Sequence, residues 1–231
     1  MTVTTTNLTR AAGLSAVVAG LLFCAVQIAH PPVNLALVTT TEWQVRQSMK
    51  VLLAALSLVG ITGIYLRQVK KTGVLGLIGY VVFAVNYLIM LCNEVIGLFV
   101  LPSLASSAPG YVSDVLAAAT GGTVTGDLGL YGSLNTAAGF AYIGGGLVFG
   151  IALFRAGVLA RWAAAVLALG TLASIAIPFL PQVNQRVFAI PTGIALVGLG
   201  YSLWRDQRTL RALPLPLPGL VGPPLDPAGA R

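Results

Sequence analysis

The sequence predicts an all-α fold, a polytopic membrane helix bundle with six transmembrane helices. Three observations carry that prediction. First, 57% of the 231 residues are hydrophobic and only 8% are charged, with a mean hydropathy of +0.90. Soluble domains carry about 25% charged residues. Second, the apolar residues collect in six runs, each near the roughly 20 residues that cross a bilayer as a helix. Third, the basic residues that give the net charge of +7 fall mostly between those runs. This distribution excludes soluble enzyme folds, nucleic-acid modules and disorder over most of the length. It also reads as cytoplasmic loops of a membrane protein, with no nucleic-acid partner.

The first run is Ala11 to Ala29, stopped by His30-Pro31-Pro32. It is longer than the apolar core of a signal peptide and lacks a well-placed small-residue cleavage site, so it is expected to be a retained helix. The second is Val51 to Leu66, extended back to Glu42 by a capping box at Thr41-Glu42-Trp43-Gln44. Glu42, Arg46 and Lys50 then share a face at four-residue spacing. The third is Val74 to Leu101, ended by Pro102. A short interfacial helix is expected from Tyr111 to Ala119, stopped by Gly121-Gly122. The fourth run is Leu128 to Phe154, the fifth Val158 to Leu180, and the sixth Val187 to Trp204. Thr72-Gly73-Val74-Leu75 and Ala156-Gly157-Val158-Leu159 echo one another after basic turns; two short hairpins would produce the same residues without any duplication.

This count gives a six-helix transmembrane domain over 1–211. A Pro-rich tail follows over 212–231, where Leu-Pro-Leu-Pro-Leu-Pro and Gly-Pro-Pro exclude a helix and imply disorder. With an even number of spans both termini share a side. That side carries ten basic residues against three on the other, Arg46, Lys50 and Arg186. The positive-inside rule therefore places both termini in the cytoplasm and the chain in a bacterial inner or plasma membrane.

Ionisable groups inside a span are costly and mark candidate sites. Glu94 is the clear case. It precedes Leu101 by seven residues, so it sits about 10 Å inside the outer end of its helix. Burial there would favour a protonated carboxyl able to donate a proton. The alternative is a neutral Glu hydrogen-bonded to a neighbouring helix. Tyr80, Tyr87 and Glu94 recur every seven residues, with Asn86 and Asn93 beside them. A polar stripe of this kind faces a bundle interior. Asn135, with Tyr131 one turn away, lies at similar depth on the fourth helix. Gln27, His30, Ser174 and Thr192 also fall in the outer half, while the cytoplasmic halves are plainer. The expected result is an outer-half cavity, roofed by the connections that carry Glu42, Trp43, Arg46 and Lys50. Arg46 and Lys50 read either as anion ligands or as residues snorkelling to the interface. The Gly144-Gly145-Gly146 and Gly150 run suits close helix packing.

Several chemistries lack their residues. There is no mid-span lysine for a retinal Schiff base, no G-x-S-x-G, no Walker motif, and no D-x-x-x-D pair of a magnesium-dependent prenyl transferase. A lone histidine excludes bis-histidine haem, and no metal or cofactor is expected. Cys24 and Cys92 form no C-x-x-C pair.

The runs Gly60-Ile61-Thr62-Gly63-Ile64-Tyr65-Leu66-Arg67-Gln68 and Gly73-Val74-Leu75-Gly76-Leu77-Ile78-Gly79, then Glu94 ahead of Phe99-Val100-Leu101-Pro102-Ser103-Leu104-Ala105, resemble small six-helix integral membrane proteins of high-GC bacteria. The likeness is best over helices two and three and implies a topology. In size, helix number and isolated acid the chain is also similar to membrane-bound terpene cyclases, which protonate a prenylated substrate with an embedded carboxylic acid; this is an analogy of fold. The resulting expectation is an integral membrane enzyme that cyclises or isomerises an apolar isoprenoid substrate without metal. Glu94 would be the general acid, with Asn93, Asn86 and Asn135 orienting it and Tyr87, Tyr80, Tyr131 and Trp43 lining the cavity. The alternatives are a transporter or binding protein for a lipid or small molecule, and an accessory subunit contacting its complex through the glycines of helix four. Membrane lipids are the expected surroundings, and self-association is left open.

Overall fold

Thr4 begins the first helix. Its hydroxyl accepts the N–H of Asn7 at 3.2 Å and satisfies one of the donors that a helix start leaves free. The computed structural model describes residues 4–28, 30–179 and 186–212, and among these every regular element is helical. In chain order they are α1 (Thr5–Ala25), α2 (Leu35–Val38), α3 (Thr41–Val95), α4 (Leu101–Leu104), α5 (Pro109–Thr120), α6 (Leu130–Ala156), α7 (Arg161–Ala173) and α8 (Ala189–Ala212). A π-helical turn, Ile96–Val100, joins α3 to α4, and α7 tightens into a 3₁₀ turn at Ser174–Phe179. Three helical stretches are long and apolar enough to cross a membrane: Thr5–Ala25, Thr41–Leu104 and Leu130–Ala156. The Pro-rich tail expected over 212–231 lies outside the described residues from 213 onward.

α3 is not one rod. At Gly73 the backbone takes φ 58°, ψ −155°, a conformation essentially reserved for glycine, and the chain turns back. In a straight helix Gln47 and Glu94 would lie about 70 Å apart. Instead their side chains meet at 2.7 Å. The two arms, 41–72 and 74–95, therefore form an antiparallel hairpin. Gly157, after α6, also has positive φ and ends that helix in a left-handed cap. The repeated Thr/Ala-Gly-Val-Leu pattern thus marks two reversals.

The six long arms form a closed ring in which each runs antiparallel to both neighbours. The register is written in small residues. α1 meets the first arm of α3 where Gly63 lies against Ala12 and Gly60 against Ala16. α1 meets α8 through Gly13 with Gly200 and Gly20 with Gly193. The second arm of α3 meets α6 reciprocally: Gly79 lies on the backbone of Phe149, and Gly145 on that of Phe83. Gly150 faces Ala164 and Ala168 of α7, and Gly198 of α8 faces Trp162 and Ala163. Such contacts let backbones approach closely, which drives helix association where lipid gives no hydrophobic advantage. Ring order equals chain order. The start of α1, the end of α8 and the Gly73 turn share one end, where Arg67 pairs with Asp206 at 2.6 Å. At the other end α2, α4 and α5 form a cap. Leu37, Val38, Trp43, Leu101, Val112 and Val115 are buried together there.

Polarity is inverted relative to a soluble bundle. Val45, Leu52, Val59 and Leu66 recur every seven residues on the first arm of α3 and are exposed, as are Val74, Val81, Leu88 and Val95 on the second. On the opposite face of the first arm, Gln47, Ala54, Ile61 and Gln68 share the same spacing and are buried. An apolar exposed face over an interior of apolar side chains with a few amides suits a helix surrounded by hydrocarbon.

Some expectations are corrected. The first helix occupies 5–25 instead of 11–29, because Thr4 caps it early. Thr40, not Thr41, caps α3, accepting the Trp43 N–H at 3.2 Å. The fifth helix starts at Arg161 instead of Val158, and it tightens at Ser174, where Pro178 withholds an amide donor. The expected interfacial helix is α5, closed by Gly121 at φ 73°.

Gly73→Ala should cost about 1–3 kcal/mol, because a Cβ resists this backbone conformation. Gly144→Ala, where a Cβ would meet nothing, should be neutral or mildly stabilising. Thermal unfolding of both variants in detergent checks this; equal midpoints would refute the turn assignment.

Candidate functional site

Reversal at Gly73 brings Trp43, Gln47 and Lys50, one face of the first arm, against the outer part of the second. Gln47 donates from Nε2 to Glu94 Oε2 at 2.7 Å. Lys50 Nζ stands 3.7 Å from the same oxygen. Trp43 donates from Nε1 to the carbonyl of Gly97 at 2.8 Å. Gly97 lies in the π-helical turn, and a Cβ there would collide with the Gln47 amide. The close approach that seats Gln47 on Glu94 therefore requires glycine. From α6, Asn135 accepts from Asn93 at 3.4 Å and donates to the carbonyl of Ala118 on α5 at 2.9 Å.

These groups surround a cavity of about 420 Å³ beneath the cap. Six of the eight expected site residues line it: Glu94, Asn93, Asn86, Asn135, Tyr131 and Trp43. Two do not. Tyr87 is fully buried in the core, edge-on to Phe83 with ring centroids 4.9 Å apart. Tyr80 stacks on Tyr65 at 4.5 Å and bonds Thr62 at 2.9 Å, toward the Gly73 end. Gln47 was missed by sequence reasoning, as was Tyr142, which lines the cavity and bonds Thr192 at 2.6 Å. Heptad spacing from Gln47 to Gln68 on the first arm was the available signal. The shared face of Glu42, Arg46 and Lys50 also divides. Arg46 turns to Glu42 at 2.9 Å and to the carbonyls of Val26 and Ile28 beyond α1, whereas Lys50 turns inward.

Two features shape the chemistry. Glu94 is engaged by an amide donor and a lysine ammonium on one oxygen, the cation pairing being one of the roles open to a carboxyl inside a span. Beside it, Gln47 and Asn86 are 3% and 5% exposed. Among the described residues Gln47 Oε1, Asn86 Nδ2 and Asn93 Oδ1 are nonetheless buried without a hydrogen-bond partner, as are Ser57 Oγ, Gln68 Oε1 and Tyr87 Oη away from the cavity. Buried polar atoms are nearly always paired, and three unpaired ones fall on this one cavity wall. Of the α6 glycines Gly144, Gly145, Gly146 and Gly150, the last three pack within the ring, while a Cβ at Gly144 would meet nothing.

The cap is tied down by Asp114 of α5, which accepts from the backbone of Thr125 at 2.8 Å and of Gly126 at 2.9 Å. The Thr125 N–H above all holds its carboxyl below the usual carboxylate range; partial desolvation opposes this, and the Gly126 N–H and Thr125 hydroxyl assist. Among the described residues no cluster of His, Cys, Asp and Glu could hold a metal ion. No known protein family, curated protein or solved structure matches this chain.

Two measurements test this geometry. Lys50→Met should destabilise on the order of 3 kcal/mol by leaving Glu94 unpaired, and adding Glu94→Gln should recover much of that loss. Additive losses in thermal unfolding would deny the pair. Because the Asp114 carboxyl is lowered on folding, its stabilising contribution is complete above about pH 4, the ordinary aspartate value, and is lost as pH falls through the lowered one. Asp114→Ala should therefore lower the melting temperature at pH 7, with a deficit that closes on acidification.

Proposed function

We propose that the chain is an integral membrane protein with six spans and both termini in the cytoplasm, and that its outer cavity binds a small amphipathic molecule. The six-span count is supported by the hairpin within Thr41–Leu104, which makes that stretch two crossings, and by α7 and α8, which complete the ring. The basic turns on the terminal side support the orientation. The observation that carries the binding reading is the set of orphaned amide atoms on Gln47, Asn86 and Asn93 around one cavity that also holds the Glu94–Lys50 pair.

A second reading keeps Glu94 as proton donor in metal-free cyclisation or isomerisation of an isoprenoid. Its support is the placement of that carboxyl in a cavity with Trp43, Tyr131 and Tyr142, whose ring faces suit a developing carbocation. It requires the carboxyl to part from Lys50 during turnover.

One experiment separates the two. Purified protein is incubated with a panel of prenyl alcohols, epoxidised prenyl compounds, fatty acids and phospholipids. Melting temperature and products are then followed together. The binding reading expects at least one compound to stabilise the wild type, by about 2.7 kcal/mol at a hundred times its Kd. Glu94→Gln and Gly97→Ala should both lose that gain while remaining folded, and no new product should form. A product made by the wild type and lost in folded Glu94→Gln would replace binding with acid catalysis. No stabilisation by any compound would refute the binding reading.

A further inference from the structure

The cavity has a neighbour. On the outer surface of α6 a shallow groove of about 740 Å³ runs past Leu128, Gly132, Ser133, Ala137 and Phe140. It shares one lining residue with the inner cavity, Asn135. One face of that partition is polar and charged. The other mixes Ser133 and Thr136 with Leu128, Ala137 and Phe140 and opens outward, with Phe140 74% exposed. A cavity of head-group size joined at one residue to an open groove that carries exposed apolar side chains can take a lipid head with its chain alongside.

The polar side is specific about what it lacks. Gln47 Oε1 and Asn93 Oδ1 are acceptors without donors. Glu94 is engaged by Gln47 and Lys50 through Oε2 alone, which leaves its second oxygen as a third acceptor. Only one orphan atom on this wall, Asn86 Nδ2, is a donor. Three acceptors, one of them anionic, call for a group with several N–H bonds and a positive charge. A primary ammonium has three donors and no acceptor. Lys50, with Glu94 as its one ion-pair partner among the described residues, stands ready for an anion next to that ammonium.

We propose that the occupant is a zwitterionic phospholipid with a primary-amine head. Its ammonium would sit at the free oxygen of Glu94 and the two amide carbonyls, and its phosphate at Lys50. Its acyl chain would leave past Asn135 into the groove along α6. This rests on the reading of the cavity as a binding site and names the ligand for it.

The test uses the full chain, stripped of lipid in detergent, and measures binding by native mass spectrometry. The probes are phosphatidylethanolamine, phosphatidylcholine and phosphatidylglycerol with identical acyl chains. Phosphatidylcholine keeps both charges but replaces every ammonium N–H with methyl. Phosphatidylethanolamine should bind about tenfold or more tighter than either, the scale of losing a charge-assisted hydrogen bond. Glu94→Gln, checked for unchanged helicity, should reduce it to the phosphatidylcholine level. Ser133→Trp fills the exposed groove without touching the inner wall. It should weaken the lipid while sparing glycerophosphoethanolamine, the same head without chains. Equal affinity for phosphatidylcholine, a preference for phosphatidylglycerol, or indifference of the lipid to Ser133→Trp would each overturn the proposal. If no phospholipid binds but another compound of the panel still stabilises the wild type and not Glu94→Gln, the lipid assignment falls and the binding site stands.

Discussion

Everything in this protein depends on how closely its helices approach one another. In a hydrocarbon surrounding, burying Leu against Leu gains little over burying it against lipid, so association relies on contact and hydrogen bonding. Glycine and alanine supply that contact around the ring, from Gly13–Gly200 through Gly60–Ala16 and Gly79–Phe149 to Gly198–Ala163. Along the body Phe83, Tyr87, Phe149, Leu167 and Leu196 fill the middle. Toward the cap, the second arm of α3 passes through a π-helical turn and bulkier polar side chains replace the small ones. The ring no longer fills itself there, and the cavity is the space that results.

Much of the helical layout was legible in the sequence because apolar runs of helix length are bounded by charged residues, prolines and glycines. Runs of apolar residues between Arg67-Gln68-Val69-Lys70-Lys71 and Pro102, or between Asp127 and Arg155, have one sensible interpretation. Glu94, Asn93, Asn86 and Asn135 stood out because a polar group in such a run must find company. Depth and partner were harder. Tyr80 shares a face with Glu94 but lies 14 residues earlier, about 21 Å along the axis. Periodicity reports the face and is silent about the layer. Gln47 and Lys50 meet Glu94 only because the chain reverses at Gly73 in one particular register, and an amide beside a lysine on an amphipathic helix has no distinctive pattern of its own.

The pairing of Glu94 with Lys50 changes the chemistry that burial alone suggested. An isolated carboxyl in a low-dielectric span avoids charge by holding its proton. Here a cation 3.7 Å away and an amide donor at 2.7 Å share one oxygen of Glu94. On the binding reading the group is a recognition element, with one oxygen held by the protein and the other without a partner among the described residues. Proton donation from that state needs the pair to separate first, an additional step that binding does not need.

The orphaned amides sharpen this argument. Leaving one buried polar atom unpaired costs about 1–3 kcal/mol, and Gln47, Asn86 and Asn93 each leave one. A bundle free to choose could remove that cost with leucine at any of these positions, since Ala54 and Ile61 already occupy the same buried stripe as Gln47. Stability therefore does not account for three amides on one wall. On the binding reading a partner satisfies them, and the surplus of acceptors over donors favours a donor-rich group.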